Sequence, residues 1–322
     1  NYLSAFATVA YSFRNRYVLN ANFRNDVSNR FGQDTNKRFS PTFSFGAAWD
    51  MTEEDFMKES EEWLDLLKLR FTYGTQGNVL DNQGPEMILQ KSVASSIYGQ
   101  FYSGISRLAN PLLKWERTHS WNVGLDLGML KNRVTATFEY YGRKSNPVAN
   151  GGVSPEYGII GKSVPVHGTH IDNHGVEGTI NVTAINKKDW TLSASINLSK
   201  NWNTVTKMVY NANLTVNTAS YLNGQNKNIY EEDYPVGAFW AYRFGGLDPA
   251  TGLPIINFPK DGDGNELTDY TDFLMYAGTN TPDITGGLNL RLRYKNLSLS
   301  SQFAAILGGK TFLSNPFSNF GY

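Results

Sequence analysis

Three of the four histidines in this 322-residue chain, His167, His170 and His174, fall within eight residues, with Asp172 among them. Imidazoles this close can ligate a transition metal if the loop folds so that their ring nitrogens converge. The spacing alone does not separate a ligand set from a loop running into a strand. A second cluster, Asp261, Asp263, Asn265 and Asp269, places alternating side-chain oxygens on one side of a turn, as a calcium loop requires. It lacks the closing Glu of an EF-hand, and Asp-Gly repeats also simply make turns. A structural calcium ion is the one cofactor these residues suggest. A third group is aromatic. Phe239, Trp240, Tyr242 and Phe244 stand in one long segment, and Tyr98, Phe101 and Tyr102 in another. Their faces could stack on sugar rings or peptide side chains, or pack against neighbouring loops. No G-x-S-x-G nucleophile motif and no Gly-rich phosphate loop is present, so nothing argues for an enzyme. The net charge is zero, which gives no support for a nucleic-acid partner.

The elements that must carry these residues are legible as alternation. In Ser120–Gly128, Trp121, Val123, Leu125 and Leu127 are apolar, and Asn122, Gly124, Asp126 and Gly128 lie between them. After a turn at Leu130–Asn132, Val134, Ala136, Phe138 and Tyr140 alternate with Arg133, Thr135, Thr137 and Glu139. Successive strand side chains point to opposite faces, so each segment has one apolar and one polar face. The pattern recurs at Leu3–Phe13, Tyr17–Phe23, Phe43–Trp49, Leu67–Tyr73, Val176–Ala184, Trp190–Leu198, Leu288–Tyr294 and Leu297–Phe303. That makes about ten strands, many near the length that crosses a tilted bilayer path.

The connections alternate in length. Short turns at Arg14–Arg16, Leu130–Asn132, Asn186–Asp189 and Lys295–Asn296 are followed by long segments near Val27–Lys37, Gln76–Trp115, Ser145–Ile171 and Asn203–Pro282. Met51–Asp65, with Thr52, Glu53, Glu54 and Asp55 before Phe56, reads as a short capped helix on the short-turn side. Short turns at one end and long loops at the other is the outer-membrane barrel arrangement, with the turns periplasmic. Phe13, Tyr17, Trp49, Trp190 and Tyr294 sit on the apolar face at the turn ends. Phe23, Tyr73, Trp121, Trp202 and Phe303 sit nearer the loop ends. Two such aromatic rings suit two lipid–water interfaces. The polar face is largely Ser, Thr, Asn and Gly, as a watery lumen tolerates, whereas a soluble β-sandwich or propeller would show more Lys and Glu. The expected fold is therefore an all-β transmembrane antiparallel barrel. Both ends of the pattern fall on the long-loop side, while single-chain barrels normally keep both termini periplasmic. Residues 1–322 are thus expected to form part of a longer barrel, with at least one more strand at each end.

Several segments resemble the SusC/RagA family of TonB-linked outer-membrane transporters. They include Arg24-Asn-Asp26-Val-Ser28-Asn-Arg30-Phe31-Gly32, Phe39-Ser-Pro41 running to Trp49, and Leu67-Lys-Leu-Arg70 continuing to Gly77-Asn78. Asn110-Pro111-Leu-Leu-Lys114-Trp115-Glu116-Arg117-Thr118, followed by Trp121-Asn122-Val-Gly124-Leu-Asp126, is the most specific. Asn173-His-Gly175-Val176-Glu177, Tyr234-Pro235-Val-Gly237, Gly246-Leu-Asp248-Pro249 and Thr281-Pro282 follow in order. The resemblance implies a 22-stranded barrel in the outer membrane of a Bacteroidota-like cell. A plug domain, not present in this chain, fills such a barrel and contacts TonB. A SusD-like surface lipoprotein caps it, and the pair imports oligosaccharides or peptides. The readings that compete with it are a barrel component of another surface assembly, a passive porin, and a soluble carbohydrate-binding β protein.

Overall fold

A segment with one apolar and one polar face satisfies its backbone only by pairing side by side with others like it. The computed structural model describes residues 2–28, 38–78, 86–91, 99, 103–152, 163–209, 231–257, 260–265 and 274–311. In chain order the strands are β1 (Tyr2–Phe13), β2 (Tyr17–Ser28), β3 (Phe39–Asp50), β4 (Leu64–Asn78), β5 (Ile88–Lys91) and β6 (Ser103–Arg107). Then come β7 (Glu116–Met129), β8 (Val134–Asn146), β9 (Val148–Gly152), β10 (Ser163–His167), β11 (His170–Asn186) and β12 (Trp190–Lys207). The last are β13 (Ala238–Tyr242), β14 (Phe244–Leu247), β15 (Pro254–Ile256), β16 (Leu274–Thr279), β17 (Pro282–Tyr294) and β18 (Leu297–Gly308). Ten of them form one antiparallel sheet in the order β1-β2-β3-β4-β7-β8-β11-β12-β17-β18. The other eight pair as two-stranded ribbons inside the long connections: β5 with β6, β9 with β10, β13 with β16, and β14 with β15.

The register sorts side chains into rows that cross the sheet. One row runs Tyr17, Trp49, Leu69, Leu125, Phe138, Gly178, Leu198, Gly286. The neighbouring row on the other face runs Ala48, Arg70, Gly124, Glu139, Glu177, Ser199, Thr285. The sequence alternation is therefore a real separation of faces. The apolar face is uncovered: Val9 is 65% exposed, Leu198 56% and Phe303 58%. A single sheet that leaves such a surface open demands an apolar surrounding. No helix of the described residues is long and apolar enough to cross a membrane, which says nothing of strands.

Tight turns close one end of the sheet. Arg14, Asn15, Leu130, Lys131, Asn132 and Lys295 all have positive φ, the left-handed conformation that reverses a chain within two or three residues. At the other end, strands run further than the alternation marks. β12 continues through Asn203 to Lys207 and β11 begins at His170, so residues that read as loop are paired ladder. The plain alternation ends there, and side-chain contacts join the backbone ladder: Asn203 reaches Asn173, and Trp202 meets His174. The expected helix at Met51–Asp65 is instead two 3-10 pieces, Met51–Glu53 and Asp55–Ser60, without side-chain caps. Glu54 between them is extended, at φ −85° and ψ 145°. Its carboxylate accepts from Tyr17 Oη (2.5 Å), Trp49 Nε1 (3.1 Å) and Arg16 Nη1 (3.0 Å), and that pull holds the backbone out of a helix.

Candidate functional site

On the polar face, Arg70 of β4 binds Asp126 of β7 through two hydrogen bonds, Nε–Oδ2 at 2.7 Å and Nη2–Oδ1 at 3.1 Å. The same Nη2 reaches across β7 to Glu139 of β8 at 2.9 Å. It can do so because Gly124 lies beneath it: a Cβ there would stand 2.9 Å from Nη2. Asn122 donates to the other Glu139 oxygen (3.1 Å), and Thr137 to Asp126 Oδ1 (3.1 Å). One guanidinium thus ties three strands through its planar fork, and both carboxylates are left with further donors. Next to it the polar face forms a concavity of about 590 Å³, lined among others by Thr72, Glu139, Tyr141, Arg143, Glu177 and Asn201. Tyr141 donates to Asn201 Oδ1 at 3.3 Å. The surface is rich in mixed donors and acceptors. It suits contact with water, with a polar solute or with another polar protein surface.

The loop end is knotted by a few residues. Asn110 Nδ2 donates to the Pro165 carbonyl (2.6 Å), and Trp115 Nε1 to the Arg38 carbonyl (3.2 Å). Glu116 accepts from Val148 N (2.8 Å) and Asn78 Nδ2 (2.7 Å), and Leu113 is fully buried. The stretch Asn110–Glu116 therefore staples the start of β3, the end of β4 and the β9–β10 ribbon together. A second knot is built on β12. Asn203 accepts from Val236 N (2.6 Å) and donates to Asn173 Oδ1 (2.6 Å). Val205 exchanges backbone hydrogen bonds with Asp233 and Tyr234. This seats Tyr234 against Trp240 and Tyr276, with ring centroids 4.7 and 5.2 Å away.

The residues singled out from the sequence fall as follows. His167, His170 and His174 are not one loop but lie on β10 and β11, and they do not converge. His167 Nε2 lies 2.7 Å from the Lys114 carbonyl oxygen, so the ring is held against the Asn110–Glu116 stretch. His174 lies on the apolar face, stacked on Trp202 at 5.2 Å. Among the described residues no group of three or more His, Asp or Glu could hold a metal ion. Asp261 accepts from the backbone N–H of Asp263 and Asn265 and from the Asn265 amide. These bonds, the Asn265 amide first, hold its carboxyl below the ordinary range. Asp269 lies outside the described residues, as do Tyr98, Phe101 and Tyr102. Trp240 is only 8% exposed, packed against Leu274 and edge-on to Tyr234 and Tyr276. Phe239 and Tyr242 are half-buried beside it. At the turn end Phe13–Tyr17 (6.5 Å) and Tyr17–Trp49 (6.3 Å) are stacked, and Trp190–Tyr294 is tilted at 4.2 Å. Trp121 meets Tyr140 edge-on at 5.1 Å and covers Gly142, where a Cβ would come within 2.5 Å of its Nε1. The Arg70 network was not expected from the sequence. The signal that could have found it is opposite charges at polar-face positions on neighbouring strands.

A two-faced sheet, tight turns at one end and stapled loops at the other are all features of a barrel wall. The model of the TonB dependent receptor-like β-barrel family matches residues 1–310. The chain belongs to that family. It is 30% identical over 323 residues to TonB-dependent receptor P3 of Formosa agariphila, covering 96% of this chain and 32% of that protein. It is also 30% identical to TonB-dependent receptor SusC of Bacteroides thetaiotaomicron, over 97% of this chain and 32% of the relative. Among solved structures, the RagAB peptide importer in its 'open-open' state superposes with a TM-score of 0.79 at 30% identity, over 96% of this chain and 33% of that one. The SusC/RagA resemblance read from the motifs thus holds over nearly the whole chain. The chain spans about a third of the length of the relatives it matches.

Proposed function

We propose that this chain forms barrel wall and extracellular loops of a SusC/RagA-type importer in a Gram-negative outer membrane. The observation that carries the reading is the uncovered apolar face of a ten-stranded sheet whose other face is polar and hydrogen-bonded. Lipid takes the first face and the water-filled lumen the second. The turn end then lies in the periplasm and the stapled loops outside the cell. The plug that closes the lumen, and the TonB contact that moves it, belong to other parts of the receptor. The partner is a surface lipoprotein of the SusD type seated over the loop end, and the cargo is an oligosaccharide or an oligopeptide. Similarity to the RagAB peptide importer supports the oligopeptide, and the oligosaccharide comes from the SusC/RagA family resemblance. Phe239 and Tyr242 are the loop aromatics proposed as cargo contacts, while Trp240 packs inside the loop against Leu274. The reading predicts uptake that needs energy. Cells expressing the full receptor should lose uptake of fluorescent oligosaccharides or oligopeptides when an uncoupler collapses the proton-motive force. Uptake that survives the uncoupler would mark a passive pore instead.

A further inference from the structure

The apolar face carries charge in one place only among the described residues of the sheet's middle strands. By register, Arg117 and His119 of β7, Lys144 of β8, Asp172 and His174 of β11, and Lys200 of β12 all point to the face that carries Trp121, Leu125, Phe138 and Leu198. They gather at the loop end, on four adjacent strands. Strands lie about 4.8 Å apart, so the patch is roughly 14 Å wide. At ~3.3 Å per residue and a tilt of about 40°, Lys144 and Lys200, ten residues from the turn-side ends of their strands, stand roughly 25 Å above them. That is the height of the apolar band of an outer-membrane barrel, so both ammonium groups emerge at its outer border. Arg117, Lys144 and Lys200 against Asp172 leave a net of two positive charges. On β2 the charges near the loop end, Arg24 and Asp26, point the other way and bind each other and Ser4 on the polar face.

The local geometry holds these cations at an interface. Lys200 Nζ lies over the Trp202 ring, 4.9 Å from its centroid, and His174 stacks on that ring. Lys144 is 75% exposed and pairs with Asp172 at 3.3 Å. His119 Nδ1 is 3.0 Å from Tyr73 Oη. Aliphatic stems on an apolar surface with heads drawn to its rim, beside indoles and a phenol, are the arrangement of a headgroup contact. We infer that this patch of Arg117, Lys144 and Lys200 binds the phosphate groups of an anionic outer-leaflet lipid, whose acyl chains lie along Val176, Leu198 and Phe138. The inference rests on the outer-membrane reading proposed above. A phosphorylated lipid fits the patch better than a soluble anion, because the cations stand at the edge of a surface that only acyl chains can cover.

The test uses the full-length receptor in detergent micelles doped with diphosphorylated lipid A, with retained lipid counted by native mass spectrometry. The wild type retains the lipid. Lys144→Gln with Lys200→Gln lowers retention by roughly fivefold per lysine. Lys144→Arg with Lys200→Arg keeps it, and Arg291→Gln on the polar face leaves it unchanged. Retention unaffected by the double Gln variant, or equal retention of dephosphorylated lipid A, would each overturn the inference. A wild-type receptor that stays in solution without detergent would instead remove the membrane reading itself.

Discussion

The two faces of the sheet are stabilised by different means. The polar face is joined by specific, directional contacts: one arginine, two carboxylates and the glycine that lets them meet. The apolar face is joined by ring contacts at its two ends, stacked at the turns and edge-on at the loops, and by aliphatic side chains with no specific partner between them. Directional contacts fail one residue at a time, whereas a solvent-matched face fails only when its polarity is changed. The largest expected effect is therefore a charge on the apolar face. Leu125→Arg should lower folding stability in bilayers by roughly 2–4 kcal/mol, measured by denaturant titration in vesicles. Asn122→Arg, three residues away on the polar face, should change it by less than about 1 kcal/mol. Equal damage from both would end the two-face account.

Within the polar face, Arg70→Met strands Asp126 and Glu139. Both retain Thr137 and Asn122 as donors and are part-exposed to water, so the loss should be about 1–2 kcal/mol in the same titration. Arg70→Lys should recover only part of it, because an ammonium cannot make the paired contact with Asp126. Gly124→Ala should cost about 1 kcal/mol, although alanine ordinarily favours a strand over glycine, because its Cβ displaces the guanidinium. A neutral Gly124→Ala would show that Arg70 does not bind where it is placed.

The smallest effect belongs to the turn end. The Tyr17 phenol first, then the Trp49 indole and Arg16, hold the Glu54 carboxyl below its ordinary range. A lowered carboxyl contributes stability that is full above its unfolded value and is lost as pH falls through the folded one. The thermal midpoint should therefore drop slightly more steeply on acidification in the wild type than in Glu54→Gln. Parallel acid profiles would show that Glu54 contributes nothing to this end.

The alternation made the strands and their faces legible, because period two is a local property of neighbouring residues. The contacts that join strands are not local. Arg70 is 56 residues from Asp126 and 69 from Glu139, so no window of sequence brings them together. Gly124 reads as one more polar-face residue, yet it is the floor under the Arg70 guanidinium. The histidines were misplaced for the opposite reason. A polar stretch reads as loop, but the β11 ladder continues through it and turns His174 onto the apolar face. Glu54 looked like a helix-starting acid, and its three partners on β2, β3 and the first turn took it elsewhere. The motif Asn110–Glu116 stood out as a family mark, and only the structure shows its work as a staple between loops.

The central claim is that lipid and lumen divide the residues of each strand by parity. The chain contains no cysteine, so single cysteines can be read without background from this stretch. Placing them one at a time from Asn122 to Leu127 of β7 in the full receptor, in native membranes, and labelling with a lipid-confined and a water-soluble maleimide, tests the claim directly. The account predicts lipid-probe labelling at 123, 125 and 127 and water-probe labelling at 122, 124 and 126. Labelling that does not alternate, or that alternates with the opposite parity, would contradict it.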